Sequence, residues 1–295
     1  MTAIRTLFGA LALLIPALPA IAHDSPSHVI DFLTDRLESQ GRSAWLLTAR
    51  AYEHRALGER DAAIADFTEA LSLEPNYGAA LLGCAELLLL VDRWSEAESL
   101  AQQGVDIQRE VARAAPYHAL LGRIFAAQQR WPEARNAWAA AVRSPAPEVD
   151  WFLGESESVR HLAGPSAEVR SLAEAVRRNP SIVLRRAWVR ALVDAGELEP
   201  ASREIARGLA NTRWRGTWLL LRARIHEQRG DAANQQADAS EALAEIRSRI
   251  SPERPDPYLI AEAGTALALL GEADEAHAYR HRAEALGVSE ILVHR

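Results

Sequence analysis

Four groups of residues have types and spacings that could do chemistry. His277 and His281 lie four apart, so on a helix both imidazoles leave one face and Glu284 falls beside them. Two or three such ligands can hold a metal ion, although a structural zinc site takes four; the plainer account is a solvated outer face. His23 and His28 form a second pair. Cleavage before His23 would place a free amine, its own imidazole and a second imidazole together, a donor set that suits copper. The plainer account there is an ordinary flexible start to the chain. Gly154-Glu155-Ser156-Glu157-Ser158 begins like a nucleophile elbow but lacks the second glycine, and an elbow also needs a preceding strand. His226-Glu227 opens a His-Glu-x-x-His zinc pattern, yet Gly230 stands where the second histidine belongs.

No glycine loop that would cradle a phosphate is present in either common form. Cys84 is the single cysteine, so no intrachain disulfide exists, and a buried, small apolar role is expected for it. No catalytic residue, cofactor or bound metal is therefore expected, and the chain reads as a non-enzyme. The alternative is a metal-dependent enzyme or metal-binding exported protein that uses His23/His28 or His277/His281.

These groups need elements to carry them. Hydrophobic residues make up 48% of the 295 residues and charged residues 25%, enough to bury a core. Aromatics are only 6%, alanine and leucine dominate, and glycine and proline fall between long apolar-periodic segments, which favours helices over sheets. All 33 basic residues are arginine, yet the formal net charge is -7. An acidic chain without a basic tail argues against general nucleic-acid binding.

Residues 1–22 read as a secretory leader. Arg5 supplies the positive start, residues 7–18 an apolar stretch, and Ala20-Ile21-Ala22 a small-x-small cleavage pattern. The stretch is short for a membrane span and carries Pro16 and Pro19. An exported protein, periplasmic or secreted and without a membrane anchor after cleavage, is expected. A scaffold tethered by an uncut leader is the other reading.

A repeat organises the remainder. From 44 to 77 the chain sets small residues at Ala51, Ala63 and Ala70, bulky ones at Leu47, His54 and Phe67, a turn at Gly58 and Pro75 at the end. The frame returns from 78 (Leu81, Ala85, Leu88, Trp94, Ala97, Gly104), from 115 (Gly122, Phe125, Trp131, Ala134, Ala141), from 182 (Leu192, Gly196, Ala201, Gly208), from 216 (Leu219, Ala223, His226, Gly230, Ala242) and from 257 (Ile260, Gly264, Gly271, Ala276, Ala283). A degenerate unit fits near 149, with Glu168 where a small residue belongs and Pro165 in the turn. Small residues let paired helices approach, and larger ones fill the space around the contact. Each hairpin leaves an apolar face that the next one covers.

This pattern resembles the tetratricopeptide repeat, a 34-residue helical hairpin. The resemblance implies an all-α, right-handed α-solenoid of such hairpins over residues 44–290. A capping helix is expected within 23–43, where Ile30, Leu33 and Leu37 make a stripe, and a tail over 291–295. Residues 144–147 and 251–257 read as linkers. The resemblance also implies a protein-interaction scaffold whose first helices line a concave groove for a partner peptide or helix. Carried onto this sequence, the groove receives Trp45, Tyr52, Arg55, Glu86, Arg123, Arg160, Arg186, Arg190 and Arg224. The arginines gathered at its middle suit an acidic or C-terminal-carboxylate segment, since guanidinium groups pair with carboxylates in fork geometry. Equally, they could pair with neighbouring glutamates and merely solvate the face.

Overall fold

A computed structural model describes residues 25–108 and 110–286. The predicted leader 1–22, His23 and the tail 291–295 lie outside the described residues. Among the described residues the chain forms fifteen helices and no strand, and no helix is long and apolar enough to cross a membrane.

The first unit ends at Ile124. It opens with α1 (Pro26–Gln40), which buries Leu33 and Leu37 and packs on α2 (Ala44–Ala56). Hairpins follow: α2 with α3 (Arg60–Leu73), and α4 (Gly78–Leu90) with α5 (Trp94–Ile107). α6 (Val111–Ala127) begins a turn ahead of the expected start at 115, and Pro116 lies within it. The second unit runs from Phe125. It contains α7 (Trp131–Ala141), α8 (Val149–Ala163), α9 (Pro165–Arg178), α10 (Ile182–Asp194), α11 (Leu198–Ala210), α12 (Gly216–Gln228), α13 (Ala232–Arg249), α14 (Pro257–Leu269) and α15 (Ala273–Ala285). Within each unit, successive hairpins stack as an all-α solenoid. First helices touch first helices (α2 and α4; α8, α10, α12 and α14), and second helices also pack on the following first helix: α3 on α4, α7 on α8, α9 on α10, α11 on α12 and α13 on α14.

Local chemistry sets the helix ends. The Ser43 side chain accepts from the Leu46 amide at 3.2 Å, which caps α2. Asp256 accepts from the Tyr258 amide at 2.9 Å and leaves Pro257 at the first helical position of α14. The turn between paired helices needs a left-handed residue, with φ of 79° at Gly58 and 75° at Gly196. At the matching turns after α4 and α6, Asp92 and Gln129 adopt φ of 58° instead. Ala51, Ala63, Ala70, Ala85 and Ala97 are wholly buried at the helix crossings of the first unit. In the second unit an added Cβ on Gly208 would overlap the buried indole of Trp218, and one on Gly154 would overlap Trp138.

Four carboxylates are nevertheless buried: Asp66, Glu168, Glu204 and Asp238. Asp66 receives a two-pronged pair from Arg50, with both contacts at 2.7 Å. Asp238 receives the same pair from Arg222, again at 2.7 Å twice. Glu168 receives Arg160 at 3.0 Å. These pairings meet the requirement that a buried charge be matched and hydrogen-bonded.

Candidate peptide-binding surface

The first helices α2, α4, α8, α10, α12 and α14 carry every expected groove residue except Arg123, which is exposed on α6. Much of this polar surface laces one first helix to the next. On the first unit, Arg55 of α2 meets Glu86 of α4 at 2.6 Å, and the Tyr52 hydroxyl donates to the Ala79 carbonyl at 3.0 Å. Tyr52 also packs edge-on against Phe67, with ring centroids 5.2 Å apart. Trp45 is half-buried at the start of α2.

On the second unit, Asp194 of α10 accepts from Arg160 of α8 at 3.3 Å and from Arg224 of α12 at 2.6 Å. One carboxylate thus ties three first helices together. Thr217 of α12 donates to Glu262 of α14 at 2.8 Å. A cavity of about 160 Å³ opens here, bounded by Arg190, Thr217, Leu221, Arg224, Tyr258 and Glu262. Arg186 stands nearby on α10, its guanidinium carbon 5.8 Å from the Trp218 ring centroid and its Nε without a hydrogen-bond partner among the described residues. Burial lowers the Arg186 affinity for its proton, and the Glu262 charge partly offsets this. Burial likewise pushes the Glu262 carboxyl above its ordinary value, against the Thr217 hydrogen bond and the Arg186 charge.

The predicted surface therefore divides. Arg55, Glu86, Arg160 and Arg224 are engaged by partners within the protein; Arg190 and Arg224 both line the open recess, and Arg186 stands beside it. The sequence reading missed Asp194, Thr217 and Glu262. Asp194 carries a signal in hindsight: it ends α10 and falls one repeat after Arg160 and about one before Arg224.

Residues 54–124 match the family model described as tetratricopeptide repeat. Over these residues the chain carries the tetratricopeptide repeat. Among solved structures, a tetratricopeptide repeat protein from Parabacteroides merdae is similar with a TM-score of 0.53 at 14% identity, over 82% of this chain and 99% of that one. The Pseudomonas aeruginosa protein pilF is similar with a TM-score of 0.51 at 13% identity, over 75% of this chain and 93% of its own. At such identities the likeness is one of fold. No curated protein matches the chain.

The stacked hairpins also place the candidates for chemistry. Ser156 is buried in α8 and pairs with the Ser171 hydroxyl at 2.9 Å, and Ser158 donates to the Gly154 carbonyl at 2.9 Å. His226 is a packing residue, 3.3 Å from Asp231 and 3.6 Å from Asp238. His277 and His281 meet edge to face, with ring centroids 4.7 Å apart, and His281 lies 3.6 Å from Glu284. Among the described residues no group of three or more His, Cys, Asp or Glu side chains converges as a metal site would require. His28 is exposed near the start of α1, and His23 lies outside the described residues. Cys84 is buried in α4, and burial pushes its thiol up to about 11.

Proposed function

We propose that the protein is an exported interaction scaffold, periplasmic or secreted, that holds an acidic or C-terminal-carboxylate segment of a partner protein on the first helices of its second unit. The observation that carries this reading is the recess beside Arg190 and Arg186. Arg190, Arg224, the Thr217 hydroxyl and the exposed Tyr258 ring surround one opening, and Arg186, with an unsatisfied Nε, stands beside it. Guanidinium groups there can grip a carboxylate in fork geometry, and Tyr258 offers an apolar and hydrogen-bonding anchor. A tetratricopeptide fold suits such a task, because stacked hairpins present a long side-chain surface without chemistry of their own. Export rests on the leader pattern of residues 1–22.

The test is a peptide array probed with the mature protein, comparing acidic C-terminal peptides with their amidated counterparts. Binding should favour the free carboxylate and fall in Arg190→Glu, with melting behaviour checked in parallel. If Arg186→Glu together with Arg190→Glu leaves every interaction unchanged while remaining folded, the groove reading fails. Export is tested by the intact mass of the secreted product, which should begin at His23.

A further inference from the structure

We propose that a second recess, on the side of helices α7 and α9, binds a small amphipathic carboxylate: an apolar body with one anionic head. This site is independent of the first-helix groove. Its volume is about 500 Å³, within the span typical of small-molecule sites. The α8 side chains that line it, Phe152, Glu155, Val159, Leu162 and Ala163, include none of the predicted groove positions.

The repeat that forms the recess is the irregular one. Where other hairpins bury an alanine at the helix crossing (Ala63, Ala201, Ala276), this hairpin buries Glu168, matched by Arg160. α8 has 15 residues where α10, α12 and α14 have 13, and it joins α9 through Gly164 alone. The recess opens beside this hairpin.

The lining has two parts. Phe152, Leu162, Ala167 and Ala175 make an apolar base. Arg135, Arg170 and Arg178 stand around it, all exposed. Arg178 is committed to the wall: it donates to the Val142 carbonyl at 2.7 Å and lies 5.2 Å from the Phe152 ring centroid. Arg135 and Arg170 make no hydrogen bond or ion pair among the described residues. Of the two acids in the lining, Glu174 pairs with Arg177, which leaves Glu155 alone facing three guanidinium groups. Burial raises the Glu155 carboxyl, while Arg135 and Arg178 pull it back down. The excess of positive charge over an apolar base fits a monoanion whose head meets Arg135 and Arg170 and whose body covers Phe152.

Calorimetry of the full chain with octanoate, set against octan-1-ol, tests the assignment. One saturable octanoate site is expected, with octanol far weaker. The double variant Arg135→Ala, Arg170→Ala should weaken octanoate about tenfold or more, because two charge-assisted contacts are lost. Both arginines are exposed, so the fold should survive, as helix content by circular dichroism would show. Arg190→Ala should leave the octanoate Kd unchanged, which separates this site from the groove. Absence of saturable binding, equal affinity for octanol, an unchanged Kd in the double variant, or a loss in Arg190→Ala would each overturn the proposal.

Discussion

Asp194 at the end of α10 accepts from Arg224 of α12 at 2.6 Å, and the same carboxylate accepts from Arg160 of α8 at 3.3 Å. Asp194 is mostly shielded, with a side-chain exposure of 12%. Asp194→Asn keeps the shape but removes the charge that Arg160 and Arg224 share, while Arg160 keeps its pair with Glu168. The expected loss is about 1–3 kcal/mol, smaller than for a fully buried pair because both arginines keep some access to water. Thermal unfolding of the variant, set against exposed Glu199→Gln as control, checks it; an unchanged midpoint would show that the three helices do not depend on this carboxylate.

Arg50 with Asp66 and Arg222 with Asp238 are the same pair at matching places in two repeats, each with two contacts of 2.7 Å. His54 and His226 accompany them, 3.9 Å and 3.6 Å from the respective carboxylates. Removing one partner alone, as in Asp66→Ala, should cost about 3 kcal/mol by stranding the other charge. Replacing both, Arg50→Met with Asp66→Leu, should cost clearly less. Urea unfolding of the two singles and the double gives the coupling directly, and strict additivity would contradict it.

Gln129 occupies the left-handed turn position that Gly58, Gly196, Gly230 and Gly271 hold elsewhere, with φ of 58°. Gln129→Gly should stabilise by about 0.5–1 kcal/mol, since relief of the side-chain clash in that region exceeds the added freedom of the unfolded chain. Asp92→Gly should gain less, because aspartate tolerates this backbone better. A lower midpoint for the Gln129 variant would show that its side chain contributes more than its backbone costs.

Gly208 faces the wholly buried Trp218 closely enough that one added carbon overlaps the indole. Gly208→Ala should destabilise by about 1–3 kcal/mol even though alanine is the better helix former. Gly208→Ala with Trp218→Phe should recover part of the loss, measured by the unfolding midpoint.

The Cys84 thiol is pushed by burial from its ordinary value of 9.0 to about 11. The folded chain thus holds this proton more tightly than the unfolded one. Its contribution to stability is complete below about 9 and is lost as pH rises towards about 11. Cys84→Ala should flatten the alkaline fall in stability across that window. A thiol reagent at neutral pH should label the native protein far more slowly than the urea-unfolded one.

Much of the helical scheme was legible from residue types alone. A packing rule for paired helices needs alanine or glycine at crossings and a turn-former between them, and Ala51, Ala63, Gly58 and their counterparts mark those places in the sequence. The start of α6 was displaced by about one turn: the helix begins at Val111 and runs through Pro116, its sixth residue, whose missing amide leaves the Ala112 carbonyl without its usual partner. The direction of the arginines was not legible, since spacing assigns a helix face but not the partner across it. Arg55, Arg160 and Arg224 turned out to tie neighbouring first helices, and Arg224 with Arg190 also lines an opening.

Hairpin order and the all-α class were settled by local periodicity, because backbone propensity and crossing-point size act over a few residues. Which charges neutralise one another, and where a recess remains, depended on side chains from separate repeats meeting in space. The Glu168 substitution shows the division. In the sequence it reads as a flaw in the repeat; only the packed hairpin shows it matched by Arg160, with an arginine-rimmed cavity formed by the same hairpin and α7.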